Sequence, residues 1–149
     1  MDIWVDADAC PNPIKDILYR AALRTHTHVI LVANQFLNTP AANSYVKSIQ
    51  VASGFDVADN YIVAEIKNGD LVITTDVPLA ADAIAKGAHV LTHRGERYTP
   101  DNIQQRLTMR NFMEEMRNNG EHTVGQAPFG NTDKQQFANA LDRLIAKIK

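Results

Sequence analysis

Apolar residues along the chain fall into short runs, separated by segments of helical period. Residues 3–6 read as a short strand that ends in Asp6-Ala7-Asp8. Asn12 then caps a helix with Pro13 in its first turn, and Ile14, Ile17, Leu18, Ala21 and Ala22 supply its apolar face. Residues 28–33 are almost continuously apolar, the habit of a parallel strand buried on both faces. An Asn-, Pro- and Ala-rich loop over 34–43 leads to a third strand at 45–52, broken by Ser53-Gly54, and to a helix at 57–67 stopped by Asn68-Gly69. A fourth strand at 71–75, a helix at 76–86 ended by Gly87 and a fifth strand at 89–92 follow. The texture then changes. Thr99 caps a long helix with Pro100 at its first position, carrying Ile103, Leu107, Met113 and Met116 inward and stopped by Asn118-Asn119-Gly120. After a Gly/Pro-containing loop, a closing helix at 132–148 presents Phe137, Leu141, Leu144, Ile145 and Ile148.

Strands alternating with helices at this spacing predict an α/β fold: a three-layer, Rossmann-like arrangement with a mostly parallel central sheet and C-terminal helices. With no repeat, low-complexity tract or linker, residues 1–149 are expected to form one domain. If strand one is central, and the chain winds outward one way and returns beside it at strand four, the reversal point lies between those two strands. Ligands of such sheets bind there, outside the carboxyl ends. The carboxyl ends are Asp6-Ala7-Asp8 and Thr74-Thr75-Asp76, so topology brings three acids to one crevice.

Composition narrows the setting. A single cysteine, Cys10, cannot pair within the chain, and the sequence offers neither a zinc-ligand spacing nor an apolar run long enough to span a membrane. The N-terminal residues lack a leader pattern, and the expectation is a cytoplasmic protein with no membrane partner. Net charge is −2, unevenly spread: net −4 over residues 1–90 and net +2 over residues 91–149. That division suits a metal site facing a phosphate-binding surface, or is plain unevenness of a solvated surface.

One helix cap needs one short polar side chain, so the second acid of Asp6-Ala7-Asp8 is surplus. Carboxylates crowded in one cleft repel one another unless a cation neutralises them. Oxygen donors of this kind suit Mg²⁺ or Mn²⁺ at Asp6, Asp8 and Asp76, and Asp59 adds a fourth acid from the preceding helix. Such a site favours attack of activated water on a phosphodiester. The competing readings are that Asp76 merely caps its helix and that Asp59 is a surface acid. Thr74 and Thr75 either position a water or phosphate, Thr75 especially, or are ordinary strand residues. Cys10 stands before a helix start, where a thiolate could be stabilised, but no base partner accompanies it.

The motifs DADACP at 6–11, ANQ at 33–35, GFDVADNYI at 54–62, GDLVITTDVPLA at 69–80, KGA at 86–88 and RGERYT at 94–99 resemble those of the YaiI/YqxD family of bacterial proteins, and the likeness runs over nearly the whole chain. The resemblance implies a branch of the PIN-like superfamily, hence a PIN-like fold and a divalent-metal-dependent nuclease, with RNA as the expected partner. Asp6 matches the acid ending the first PIN-like strand, Asp76 the acid after the fourth, and Asp59 the acid on the middle helix; Asp8 is the supplement from this family's own DxD. The sequence departs from the family at Val124-Gly125-Gln126, before Ala127-Pro128-Phe129, where relatives tend to read Gly-Gly-Pro.

Arg94, Arg97, Arg106, Arg110 and Arg117 are the main basic set. Arg94, Arg97, Arg106 and Arg110 are the candidates for nucleic-acid contact, against a solvated face paired to Glu114 and Glu121. Two other functions stay open. One is a haloacid-dehalogenase-like phosphatase with Asp6 as nucleophile, Asp8 as acid/base and a further acid pair around Asp76 and Asp82. The other is a non-catalytic nucleic-acid-binding module.

Overall fold

The computed structural model describes residues 1–54, 56–118 and 128–148. The expected helix stop at Asn119-Gly120, Glu121 and the Val124-Gly125-Gln126-Ala127 departure lie outside the described residues. Six strands, β1 (Ile3–Asp6), β2 (Val29–Ala33), β3 (Val46–Gln50), β4 (Leu71–Ile73), β5 (His89–Leu91) and β6 (Arg97–Tyr98), form one sheet in the order β3-β2-β1-β4-β5-β6. The first five are parallel and β6 runs antiparallel to β5. The reversal falls between β1 and β4, where the right-handed crossover rule puts it once β1 is central.

Alternation along the strands divides the core in two. Ile3, Val5, Val29, Leu31, Leu71, Ile73 and Leu91 face α1 (Asn12–Thr25) and α5 (Asn131–Ile148), meeting Ile14, Leu18, Phe137, Leu141 and Leu144. Trp4, Ile30, Val32, Val72 and Val90 face the other way, toward α2 (Val57–Glu65), α3 (Val77–Ala85) and the start of α4 (Ile103–Asn118). The chain is therefore a three-layer α/β sandwich. β2 is buried along its whole length, as its unbroken apolar run requires.

Several boundaries differ from expectation for local reasons. Asn12 is the first residue of α1 rather than its cap; Pro11 takes the cap position and its carbonyl accepts from Lys15 N. Thr99 does cap, but a turn rather than the helix: its hydroxyl accepts from Asn102 N at 3.2 Å while Asn102 Oδ1 accepts from Thr99 N at 2.8 Å, and α4 starts at Ile103. The α2 helix stops at Glu65 because Ile66 is extended, and Ile66 turns into the core. Among the described side chains of α4 only Ile103 is buried; Leu107, Met113 and Met116 are half-buried, and Met109 and Phe112 stand exposed. The two-residue strand β6 and the single 3₁₀ turn at Ala7–Ala9 carry no periodicity that a sequence pattern could register.

Two contacts fix the rims of the sheet. At the amino edge the buried Asp70 carboxylate accepts from Trp4 Nε1 at 3.1 Å, Asp2 N at 3.1 Å and Lys67 N at 2.9 Å, tying β1 to β4. At the far side Gly95, with φ +87°, turns β5 into β6 against α5; a Cβ there would lie 2.7 Å from the Gln136 backbone.

Asp70→Ala removes three acceptor contacts at once and strands a buried indole N–H. Urea denaturation followed by the fluorescence of Trp4 should show a loss of about 2 to 3 kcal/mol, with the emission of the folded state shifted to the red. An unchanged midpoint would mean that the carboxylate does not hold the two strands together.

Candidate active site

The site begins with the parity of β1. Asp6 has the parity of Trp4, so it turns toward α2 and α3 rather than α1. The register Val5↔Ile73 places Thr74 beside Asp6, and the Thr74 hydroxyl donates to Asp6 Oδ2 at 3.0 Å. The Thr74 hydroxyl oxygen in turn accepts from Asp76 N at 3.0 Å. Buried Thr74 thus joins the two acids, whereas Thr75, the stronger candidate by sequence, is exposed.

Asp76 caps α3, its Oδ1 accepting from Leu79 N at 2.9 Å. The capping role is real, and it uses one oxygen. Asp59 lies in the first turn of α2, three residues before buried Ile62 and therefore on the helix face toward the sheet. Burial first, then the charges of Asp76, Asp6 and Asp56 and a hydrogen bond to Asp76, push its carboxyl up to about 7. Asp6 is also raised, by burial and by the charges of Asp76 and Asp8, against the lowering effect of the Thr74 hydroxyl. Asp6, Asp59 and Asp76 therefore share one electrostatic environment, assembled from three separate segments.

Asp8 is held differently. It is exposed in the 3₁₀ turn after β1, with Oδ2 accepting from Asn34 N at 2.8 Å and Oδ1 from Gln35 Nε2 at 3.4 Å. It clamps the end of β1 to the loop after β2, and its charge still reaches Asp6. Asn34 and Gln35 carried no assigned role by sequence, although the ANQ motif contained them; their link to Asp8 spans the β1–β2 unit and leaves no local signal. As the side chains stand, no group of three or more His, Cys, Asp or Glu among the described residues is drawn together to hold a metal ion.

The other candidates have defined places. Cys10 is buried, and burial pushes its thiol up to about 12, the opposite of an activated thiolate. Asp82, the distant acid of the phosphatase reading, is exposed on α3. Arg94 pairs with Asp133 at 3.0 Å and lies 5.9 Å from the centre of the Phe129 ring. Arg106 pairs with Glu96, and Arg110 with Glu114 at 3.3 Å. Arg97 Nη2 lies 2.9 Å from His89 Nδ1.

The chain belongs to the family whose model is described as "Uncharacterized BCR, YaiI/YqxD family", which matches residues 4–147. It is 62% identical over 147 residues to a UPF0178 protein of Hahella chejuensis, covering 99% of this chain and 97% of the relative. It is 60% identical over 148 residues to one of Cellvibrio japonicus, with 99% and 97% covered. A UPF0178 protein of Pectobacterium carotovorum is 56% identical over 149 residues, with 100% and 99% covered. No described helix is long and apolar enough to cross a membrane.

The raised carboxyl of Asp59 fixes the sign of a pH effect. The folded state holds this proton more tightly than the unfolded chain does, so the stability it contributes is complete below about pH 4 and is lost as the pH rises through about 7. Asn cannot ionise. Asp59→Asn should therefore melt several degrees above the parent at pH 8 and close to it at pH 4, in metal-free buffer by calorimetry. An equal difference at the two pH values would mean that Asp59 ionises as a solvated acid.

Proposed function

We propose that the chain is a divalent-metal-dependent phosphodiesterase of the PIN-like kind, acting on RNA. The observation that carries the reading is the convergence of Asp6, Asp59 and Asp76 at the reversal point between β1 and β4, where Asp76 raises the proton affinity of Asp6 and both raise that of Asp59. Mutual repulsion in a partly buried cleft costs stability, and a cation relieves it.

Carboxylates and a hydroxyl make up the donor set, which suits a hard ion such as Mg²⁺ or Mn²⁺. Asp6 and Asp76 would hold the ion, with Asp59 joining once deprotonated and Asp8 closing the rim after small side-chain shifts. When bound, the ion supplies activation of water and charge stabilisation at phosphorus. The protein's own groups do the rest. Thr74 orients the Asp6 carboxylate, and the Asp76 carboxylate is held by the Leu79 N–H and by its hydrogen bond to Asp59. The raised proton affinity of Asp59 belongs to the metal-free cluster, and a bound cation would lower it and free the carboxylate as a donor. The first turns of α2 and α3 open on the same edge, where their backbone N–H groups favour phosphate oxygens.

Purified protein with a mixed-sequence single-stranded RNA and Mn²⁺ should cleave it, and Asp6→Asn and Asp76→Asn should each slow cleavage about 100-fold or more. Mn²⁺ should also stabilise the parent by roughly 1 to 3 kcal/mol at saturation and leave Asp6→Asn almost unmoved. Cleavage persisting equally in both variants would assign the activity to a contaminant. A phosphoaspartate trapped at Asp6 would replace the reading with the phosphatase.

A further inference from the structure

The outer strand β6 lies alongside α5, and the space between them is a groove of about 260 Å³ lined by Leu91, Gly95, Arg97, Arg143, Leu144 and Lys147. It shares Gly95 and Arg143 with a second hollow of about 330 Å³ that adds Arg94, Glu96, Gln136 and Asn139. At helical spacing Gln136, Asn139, Arg143 and Lys147 fall on one stripe of α5, which the helix rise makes about 16 Å long.

The groove is cationic because the acids near it are engaged elsewhere. Glu96 pairs with Arg106, Asp133 with Arg94 and Asp142 with Arg24. Among the described residues Arg97, Arg143 and Lys147 make no ion pair. Arg97 meets the ring of His89, which burial and the charges of Arg97 and Lys147 keep below its usual range, so the ring offers an acceptor without neutralising the guanidinium. Arg97 Nε is buried with no hydrogen-bond partner among the described residues.

We infer that this groove binds the phosphodiester backbone of a single-stranded nucleic acid without regard to its sequence. An extended stripe of cations and amides matches a chain of phosphates better than one small anion, since polar groups spread along three helical turns, with Arg143 and Lys147 together at one end, cannot all reach a single phosphate. No aromatic ring lines the groove to stack on bases, so the backbone is what it reads. The groove lies on the α5 side of the sheet, away from the face to which Asp6 turns, and its binding needs neither metal nor the proposed catalysis.

The test measures fluorescence anisotropy of a labelled mixed-sequence single-stranded RNA with the full chain in EDTA, across a salt series. Arg143→Ala combined with Lys147→Ala changes two exposed residues, so folding is retained and circular dichroism checks it. Affinity at low salt should fall about tenfold or more, and the log–log salt slope should drop by about 1.4, at roughly 0.7 per lost phosphate contact. Arg143→Lys with Lys147→Arg should keep the parent slope, and Lys47→Ala, an exposed cation on the opposite edge strand β3, should bind as the parent does. An unchanged affinity and slope in the double-alanine variant would overturn the inference. So would an equal loss on Lys47→Ala, which would make the association one of net charge alone, or a parent that binds inorganic phosphate or anionic vesicles but no RNA.

Discussion

Parallel pairing of β1 with both β2 and β4 is the constraint from which the acidic cleft follows. The connections from β1 to β2, from β3 to β4 and from β4 to β5 run through helices, and the right-handed rule sends α1 to one face and α2 and α3 to the other. Two connections leaving in opposite directions open a gap above the carboxyl ends of β1 and β4. Period-2 alternation aims Asp6 to the α2/α3 side of that gap, and the register brings Thr74 beside it. A slip of one residue in β1 would turn Asp6 toward α1 and Trp4 away from Asp70, so core and cleft are specified together.

How far this was legible from sequence depends on the range of the interaction concerned. The five parallel strands, their order and the convergence of Asp6 and Asp76 could be read because apolar runs, Gly stops and crossover handedness are local or topological rules. β6 could not, because two residues hold no period. The partners of the arginines could not either. Arg106 and Arg110 share a helical face, yet Arg106 is taken by Glu96 from the hairpin before the helix, while Arg94 is taken by Asp133 from the far end of the chain. Long-range ion pairs leave no mark on sequence spacing. Among the described residues Arg143 and Lys147 make no ion pair, and they sit on a helix that read only as a closing element.

The expectation for α4 failed for a related reason. Met113 and Met116 were placed inward by helical period, but the helix is anchored to the core chiefly through Ile103, with Met109 and Phe112 left in solvent. An apolar stripe specifies a face and not what covers it, and the residues of α4 after Ile103 join neither core cluster.

The two rims of the sheet show how the same side chain is made structural or reactive. Asp70, on the amino edge, is nearly removed from solvent and is met by three N–H donors, which repay the desolvation of its charge. Asp6, at the other end of the neighbouring strand, receives one donor, Thr74, and faces Asp76 and Asp8. Saturating Asp6 with donors would stabilise the fold more and leave its oxygens unable to take a ligand. The cluster is instead held short of donors and close to other carboxylates, so that its proton affinity rises and positive charge is drawn to it. A carboxylate that only braced the strands would resemble Asp70. Asp6 and Asp59 do not, and that difference in donor supply, more than their number or spacing, sets the carboxyl edge apart from the amino edge.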